Sequence, residues 1–114
     1  MTEIMNVIHS MDEFVEATNH ATSVFVFSAN WCPDCRFIEP FMPELMEKYK
    51  EYSFYYVDRD ECIDVCQELG VLGIPSFVCF SNGEEVDRFV SRFRKTKDEI
   101  DTFLAGIKNG KGEA

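Results

Sequence analysis

Cys32 and Cys35 stand two residues apart in Trp31-Cys32-Pro33-Asp34-Cys35, a spacing that can bring two sulfurs within bridging distance. One thiolate can then attack a disulfide, and the second thiol can resolve the mixed disulfide that results. A thiol at the reference pKa of about 8.5 is only roughly 3% ionised at pH 7, so this chemistry needs a favourable setting. The free N–H groups and dipole of a helix start supply up to about 2 kcal/mol toward the anion. Position therefore assigns the roles: Cys32, ahead of a helix, is expected to be the exposed nucleophile, and Cys35, in its first turn, the shielded resolving thiol.

The elements around the pair fit that placement. Ser23 to Ser28 reads as a buried strand of β-branched and aromatic residues. The pattern then turns helical from about Asp34 to Tyr49, with a kink at Pro40, which lacks an N–H and crowds the preceding turn. Upstream, Ile4 to Ile8 reads as a first strand, and Ser10-Met11-Asp12-Glu13 as a reciprocal capping box opening a helix to about Asn19. Downstream come a third strand, Ser53 to Asp58, and a helix from Cys62 to Leu69 closed by Gly70. Phe77 to Ser81 and Glu85 to Val90 flank Asn82-Gly83, whose tolerance of positive φ marks a hairpin. Thr96-Lys97-Asp98-Glu99 opens a last amphipathic helix carrying Ile100, Phe103, Leu104 and Ile107. The order βαβαβα then ββα implies an α/β domain with a mixed central sheet of about five strands and helices on both faces.

The 114 residues carry a formal charge of −10 and 46% hydrophobic side chains, which describes one acidic domain able to collapse. The expected division is a domain over 1–108 and a flexible tail over 109–114. No apolar run approaches the roughly 20 residues that span a bilayer, so no membrane association is expected. The acidic balance argues against nucleic acid, whose phosphates need a basic face. Five cations crowd into Arg88, Arg92, Arg94, Lys95 and Lys97; they read as a solvated turn, with a docking patch for an acidic partner as the other option. The first cation is Arg36, so the N-terminus lacks the charged region of a secretory signal and a cytoplasmic location is expected. Five cysteines in a reducing compartment do not read as a disulfide framework.

The chain resembles the thioredoxin family through Phe27-Ser28-Ala29-Asn30-Trp31-Cys32, Pro40, the strand ending at Asp58, Gly73-Ile74-Pro75-Ser76-Phe77 and Phe80-Ser81-Asn82-Gly83. The resemblance implies the thioredoxin fold, and a thiol-disulfide oxidoreductase that reduces protein or small-molecule disulfides. It further implies a cis Ile74–Pro75 bond lying against the cysteines, with substrate polypeptide pairing to the Ile74 backbone. Trp31, Pro33, Ile74 and Pro75 are thereby the substrate-facing residues. A flavin-containing thioredoxin reductase drawing on NADPH would recycle the Cys32–Cys35 disulfide, with no cofactor bound to this chain. Disulfide-containing proteins are the expected substrates and a monomer the expected state.

The motif departs from the family in three ways. Pro33-Asp34 replaces the usual Gly-Pro, as in small thioredoxin-related proteins with Trp-Cys-Pro-Asp-Cys, and Asp34 puts a negative charge beside the pair. Val26 takes the place of a buried aspartate, which leaves Asp34 as a candidate for tuning or proton transfer. The strand Phe54-Tyr55-Tyr56-Val57 lacks the lysine that often accompanies that aspartate. Two alternatives stay open: a binding or assembly module with incidental redox activity, and a glutathione-coupled reductase. A zinc site over Cys32, Cys35, Cys62 and Cys66 does not fit knuckle spacing, so no metal is expected. Cys62 and Cys66 read as packing residues or a redox sensor, Cys79 as a core residue, and His9 and His20 as surface or capping residues.

Overall fold

A computed structural model describes residues 1–107. The elements are β1 (Asn6–Ile8), α1 (Met11–Thr18), β2 (Ser23–Ser28), α2 (Pro33–Ile38), a 3₁₀ turn (Glu39–Phe41), α3 (Met42–Lys48), β3 (Ser53–Asp58), α4 (Ile63–Leu69), β4 (Ser76–Ser81), β5 (Glu84–Phe89) and α5 (Lys97–Ala105). The strands form one sheet in the order β1-β3-β2-β4-β5. β1, β3 and β2 run parallel, and β4 is antiparallel to both β2 and β5. This is the mixed sheet that the element order implies.

β2 is the central strand, and all six of its residues are buried. Its side chains alternate between two cores, as a strand's period of two requires. Val24 and Val26 join Ile38, Met42, Leu45, Ile100 and Leu104, so α2, α3 and α5 cover one face. Phe25 and Phe27 join Phe14, Ala17, Val65 and Cys66, so α1 and α4 cover the other. A strand covered on both faces reads as a continuous apolar run.

Several boundaries differ from the sequence reading. β1 is shorter than expected: Ile4 and Met5 donate their N–H groups to Met1 O, and this turn delays pairing until Asn6. The expected kinked helix is two helices, because Pro40 and Pro43 each remove a backbone donor and a 3₁₀ turn fills the gap. The Ser10 hydroxyl accepts from Glu13 N, but the Glu13 carboxylate accepts from His9 N at 2.7 Å, one residue before the expected partner. α5 ends at Ala105, with Gly106 as its C-cap, and the expected tail at 109–114 lies outside the described residues. The Thr96–Glu99 capping box, the left-handed Gly70 cap and positive φ at Asn82 and Gly83 agree with the reading.

Two contacts set the loops at the two ends of β4, of which the second lies beside the cysteines. The hairpin tip is pinned to the end of α1, where Asn82 N donates to His20 O and Gly83 N to Thr18 O, each at 2.7 Å. At Gly73 the chain passes so close to the 91–92 backbone that a Cβ would lie 2.6 Å from Ser91 O and 2.9 Å from Arg92 N. Neither neighbour is a flexible side chain that could swing aside. Gly73→Ala should therefore destabilise the domain by about 1–3 kcal/mol through overpacking. Urea unfolding checks this, and a parent-like midpoint would contradict the crowding.

Candidate active site

β2 delivers the chain to the site. After Ser28 the backbone leaves the sheet through Ala29, Asn30 and Trp31, and Cys32 N donates to Ala29 O at 3.3 Å. The Arg36 guanidinium braces this turn by donating to Asn30 O at 2.9 Å. Cys32 is then the N-cap of α2, in extended backbone, and Pro33 takes the first helical position, where its fixed φ suits the start and no N–H is needed. The Cys32 sulfur accepts the Cys35 N–H at 3.2 Å. A sulfur in this place meets an exposed helix donor and the positive end of the backbone dipoles.

Both cysteines are buried. Cys35 is fully so, as expected, but Cys32 is only 4% exposed, against the expectation of an exposed nucleophile. Part-buried Ile74 packs over the pair together with Ala29, and the Cys32 thiol points to Ile74 O at 3.9 Å. The Ile74–Pro75 bond is cis. Trp31, by contrast, is 53% exposed, its Nε1 donating to Asp60 at 2.7 Å with the Arg59 guanidinium over its ring. Pro33 is exposed and Pro75 buried. The structure thus gathers Trp31, Cys32, Pro33, Asp34, Cys35, Ile74 and Pro75 around one end of β2.

Burial, then the hydrogen bond with Cys32, pushes the Cys35 thiol up to about 12. Two polar groups oppose that rise, the Ser28 hydroxyl and the Ala29 backbone. Ser28 is itself buried, and its Oγ lies close enough to favour the Cys35 anion without making a well-formed hydrogen bond to any described group. Buried Tyr56 shares this floor, its phenol raised by burial and lowered by Ser28. Val26 is fully buried on the face beneath α2, so the chain has an apolar side chain there.

Asp34 does not stand free beside the thiols. Arg94 Nε donates to its Oδ1 at 2.8 Å, and the same guanidinium lies over the Phe37 ring at 4.4 Å. Part-exposed pairs of this kind contribute about 0–1 kcal/mol to stability, so the pair matters for the charge next to the dithiol. The cation cluster read as a solvated turn is largely committed within the chain: Arg88 to Glu85, Arg94 to Asp34, Lys97 to Glu44, and Lys95 buried. Arg94, Ser28, Tyr56 and Lys95 are the site neighbours that the sequence reading did not assign. Ser28 lies in the run Phe27 to Cys32, and its polarity at the end of an apolar strand is the signal that marks it.

Cys62 and Cys66 lie elsewhere, in the core under α1 and α4. Burial pushes Cys62 up to about 11 and raises Cys66 and Cys79 as well. Such thiols are poor nucleophiles. Among the described residues no group of three His, Cys, Asp or Glu side chains could hold a metal ion, and no helix is long and apolar enough to cross a membrane.

A helix-capping dithiol beside a cis-proline, at the end of the central strand of a mixed five-stranded sheet, defines a thiol-disulfide oxidoreductase. The thioredoxin family model matches residues 5–106, and the chain belongs to the thioredoxin family. It is 38% identical over 103 residues to thioredoxin of Equus caballus, covering 88% of this chain and 95% of that protein. It is 37% identical over 107 residues to thioredoxin H-type of Fagopyrum esculentum, covering 88% and 90%. The solved thioredoxin of Malassezia sympodialis superposes with a TM-score of 0.78 at 30% identity, over 89% of this chain and 90% of that one. The family makes this chain a protein-disulfide reductase.

Ser28→Ala should push the Cys35 thiol higher still and slow any step that uses its thiolate by about tenfold, the equivalent of one pKa unit. An aromatic disulfide that releases one coloured thiolate on attack and a second on resolution separates the two steps. Below about 12 each pH unit multiplies the Cys35 thiolate about tenfold, so the second phase should accelerate with pH while this ionisation limits it. A second phase that is unchanged by Ser28→Ala would remove the hydroxyl from the step.

Proposed function

We propose that the chain reduces disulfides of proteins and small molecules through a two-step exchange in which Cys32 is the nucleophile and Cys35 the resolving thiol. The Cys32 thiolate attacks one sulfur of the substrate disulfide. A Cys32–substrate disulfide forms, and the other substrate sulfur leaves as a thiolate that takes a proton from solvent. Cys35 then gives up its proton, and its thiolate attacks the Cys32 sulfur. The Cys32–Cys35 disulfide forms, the second substrate thiolate departs, and two electrons have passed to the substrate. The observation that carries this reading is the Cys35 N–H on the Cys32 sulfur at 3.2 Å, with Cys35 buried behind it.

The substrate chain is proposed to lie across Trp31, Pro33, Ile74 and Pro75 and to pair with the Ile74 backbone. Asp34 tunes the site through its ion pair with Arg94; as a proton acceptor it would first have to leave that pair. Electrons come from NADPH through a thioredoxin reductase, which supplies the flavin, so this chain binds no cofactor. The proposed setting is the cytosol, as a monomer acting on disulfide-containing proteins. Three further buried thiols beside the reactive pair suit a reducing compartment.

NADPH-coupled reduction of insulin disulfides by the parent, with Cys32→Ser reduced to background, is the expected result. A folded parent that turns over no disulfide would instead favour a binding module built on the exposed rim of Trp31, Leu72 and Phe93. Cys35→Ser should accumulate mixed disulfides with its substrates in the cell, and an empty trap counts against the exchange. Asp34→Asn should alter the pH profile of turnover; coincident profiles would take Asp34 out of the mechanism.

A further inference from the structure

Lys95 is the one buried charged side chain among the described residues, at 1% exposed. An ammonium has three N–H donors, and three acceptors meet it: Ser91 O at 3.1 Å, Ser91 Oγ at 3.2 Å and Phe93 O at 3.1 Å. The Phe89 ring lies 5.2 Å from the nitrogen. All of these groups are uncharged. A buried charge is costly without a partner of opposite sign, and none of the groups that hold this ammonium carries one.

The loop that carries Lys95 touches both walls of the dithiol site. Arg94, its neighbour, grips Asp34 on α2 and lies over Phe37. Ser91 and Arg92 press against Gly73, next to Ile74 and Pro75. The titratable groups that act on the ammonium are Cys35, Glu99, Asp34 and Cys32. Two of these have partners of their own: Asp34 is held by Arg94, and the Glu99 carboxylate accepts the Thr96 N–H at 2.9 Å in the α5 capping box. The two thiols are the groups of this set whose charge changes during disulfide exchange.

We propose that Lys95 is a positioning residue for the resolving step, its buried ammonium supplying the counter-charge for the Cys35 thiolate in a chain with Val26 and Tyr56, and neither acid nor lysine, beneath the pair. The inference rests on the two-step exchange proposed above. Cys35 gives its proton to solvent, its thiolate attacks the Cys32 sulfur, the Cys32–substrate bond breaks, and Lys95 keeps its three protons throughout. Burial lowers the proton affinity of Lys95, while the charges of Cys35, Glu99, Asp34 and Cys32 raise it, and linkage makes the coupling to the thiols mutual: whatever the ammonium does for the thiolates, they do for it.

The two-phase aromatic disulfide reaction tests this. Lys95→Met keeps an apolar stem and removes the charge, and its second, concentration-independent phase at pH 7 should be about tenfold slower, one pKa unit of lost anion stabilisation. Ser91→Ala removes one acceptor but keeps the ammonium, and its second phase should stay within about twofold of the parent, a difference of roughly 0.4 kcal/mol. A folded Lys95→Met with a parent-like second phase overturns the proposal, as does equal slowing in both variants, which would mean that Lys95 only staples the loop. Loss of the first phase in the parent would instead overturn the exchange itself. A measurement on the unmutated protein covers the case in which Lys95→Met does not fold. With the Lys95 titration located by NMR of its ε-methylene, the second phase should stop rising tenfold per pH unit across that midpoint, where the ammonium is lost, and a rise that continues unchanged through it overturns the proposal.

Discussion

The structure turns on a helix that begins with a sulfur. Cys32 ends the excursion from β2 and caps α2, so its sulfur takes the place of the serine or aspartate oxygen that a helix start usually recruits. That substitution needs a fixed origin. β2 provides one because it is the central strand, buried on both faces and hydrogen-bonded to β3 and β4. A strand so constrained delivers Ser28 to one place, and the few residues from Ala29 to Trp31 leave the chain little freedom before the helix begins. The second wall depends on the same strand, since β4 pairs with β2 from Ser76 onward and so sets Ile74, two residues before it, against Cys32.

Charge near the site follows a different rule from charge over the whole chain. The net −10 keeps an acidic surface, yet the anion closest in sequence to the thiols is neutralised by a cation from the other end of the domain. Lys48 and Lys97 on the neighbouring helices are likewise held, by Asp101 and Glu44. Exposed pairs of this sort add little stability. Their effect is to leave the local field at the dithiol to groups held inside the fold: the start of α2 and the buried Lys95. Fixed dipoles and charges need no reorganisation when a thiol ionises, and that is the useful property for a reaction whose charge moves from one sulfur to another.

Local chemistry was legible in the sequence wherever one or two residues decide the outcome. Asn82-Gly83 marks a hairpin because both positions take positive φ, and Gly70 and the Thr96–Glu99 box end or start helices for equally local reasons. Even the interruption after Ile38 follows from Pro40, although the division into two helices also needed Pro43. The element order carried the sheet, and the Cys-x-x-Cys spacing carried the reactive pair. What could not be read are the relations between distant segments. Arg94 and Asp34 are 60 residues apart, and nothing in the run from Arg88 to Lys97 distinguishes the cation that pairs, the one that is buried and the one that reaches Glu44. The burial of Cys32 is of the same kind, since Ile74 covers it from a loop 42 residues away.

Burial alone does not make a cysteine reactive or inert, and the five thiols of this chain make the point because all five are buried. Desolvation acts in one direction on Cys35, Cys62, Cys66 and Cys79, raising each. Cys79 meets burial and the repulsion of Asp87 and Glu85, all of which oppose its anion. Cys62 has the Ile8 carbonyl as its partner, an acceptor that suits a thiol and disfavours a thiolate. Cys66 has the Arg59 charge in its favour, and Cys32 also meets a carbonyl, that of Ile74, but the Cys32–Cys35 pair differs in having donors: a helix N–H directed at one sulfur, and a hydroxyl and a backbone group that favour the anion at the other. A donor aimed at a sulfur becomes more favourable as that sulfur gains charge, whereas a carbonyl becomes less so. The dithiol is therefore set apart by the sign of its polar neighbours, and depth in the core serves to make those few neighbours count for more than they would in water.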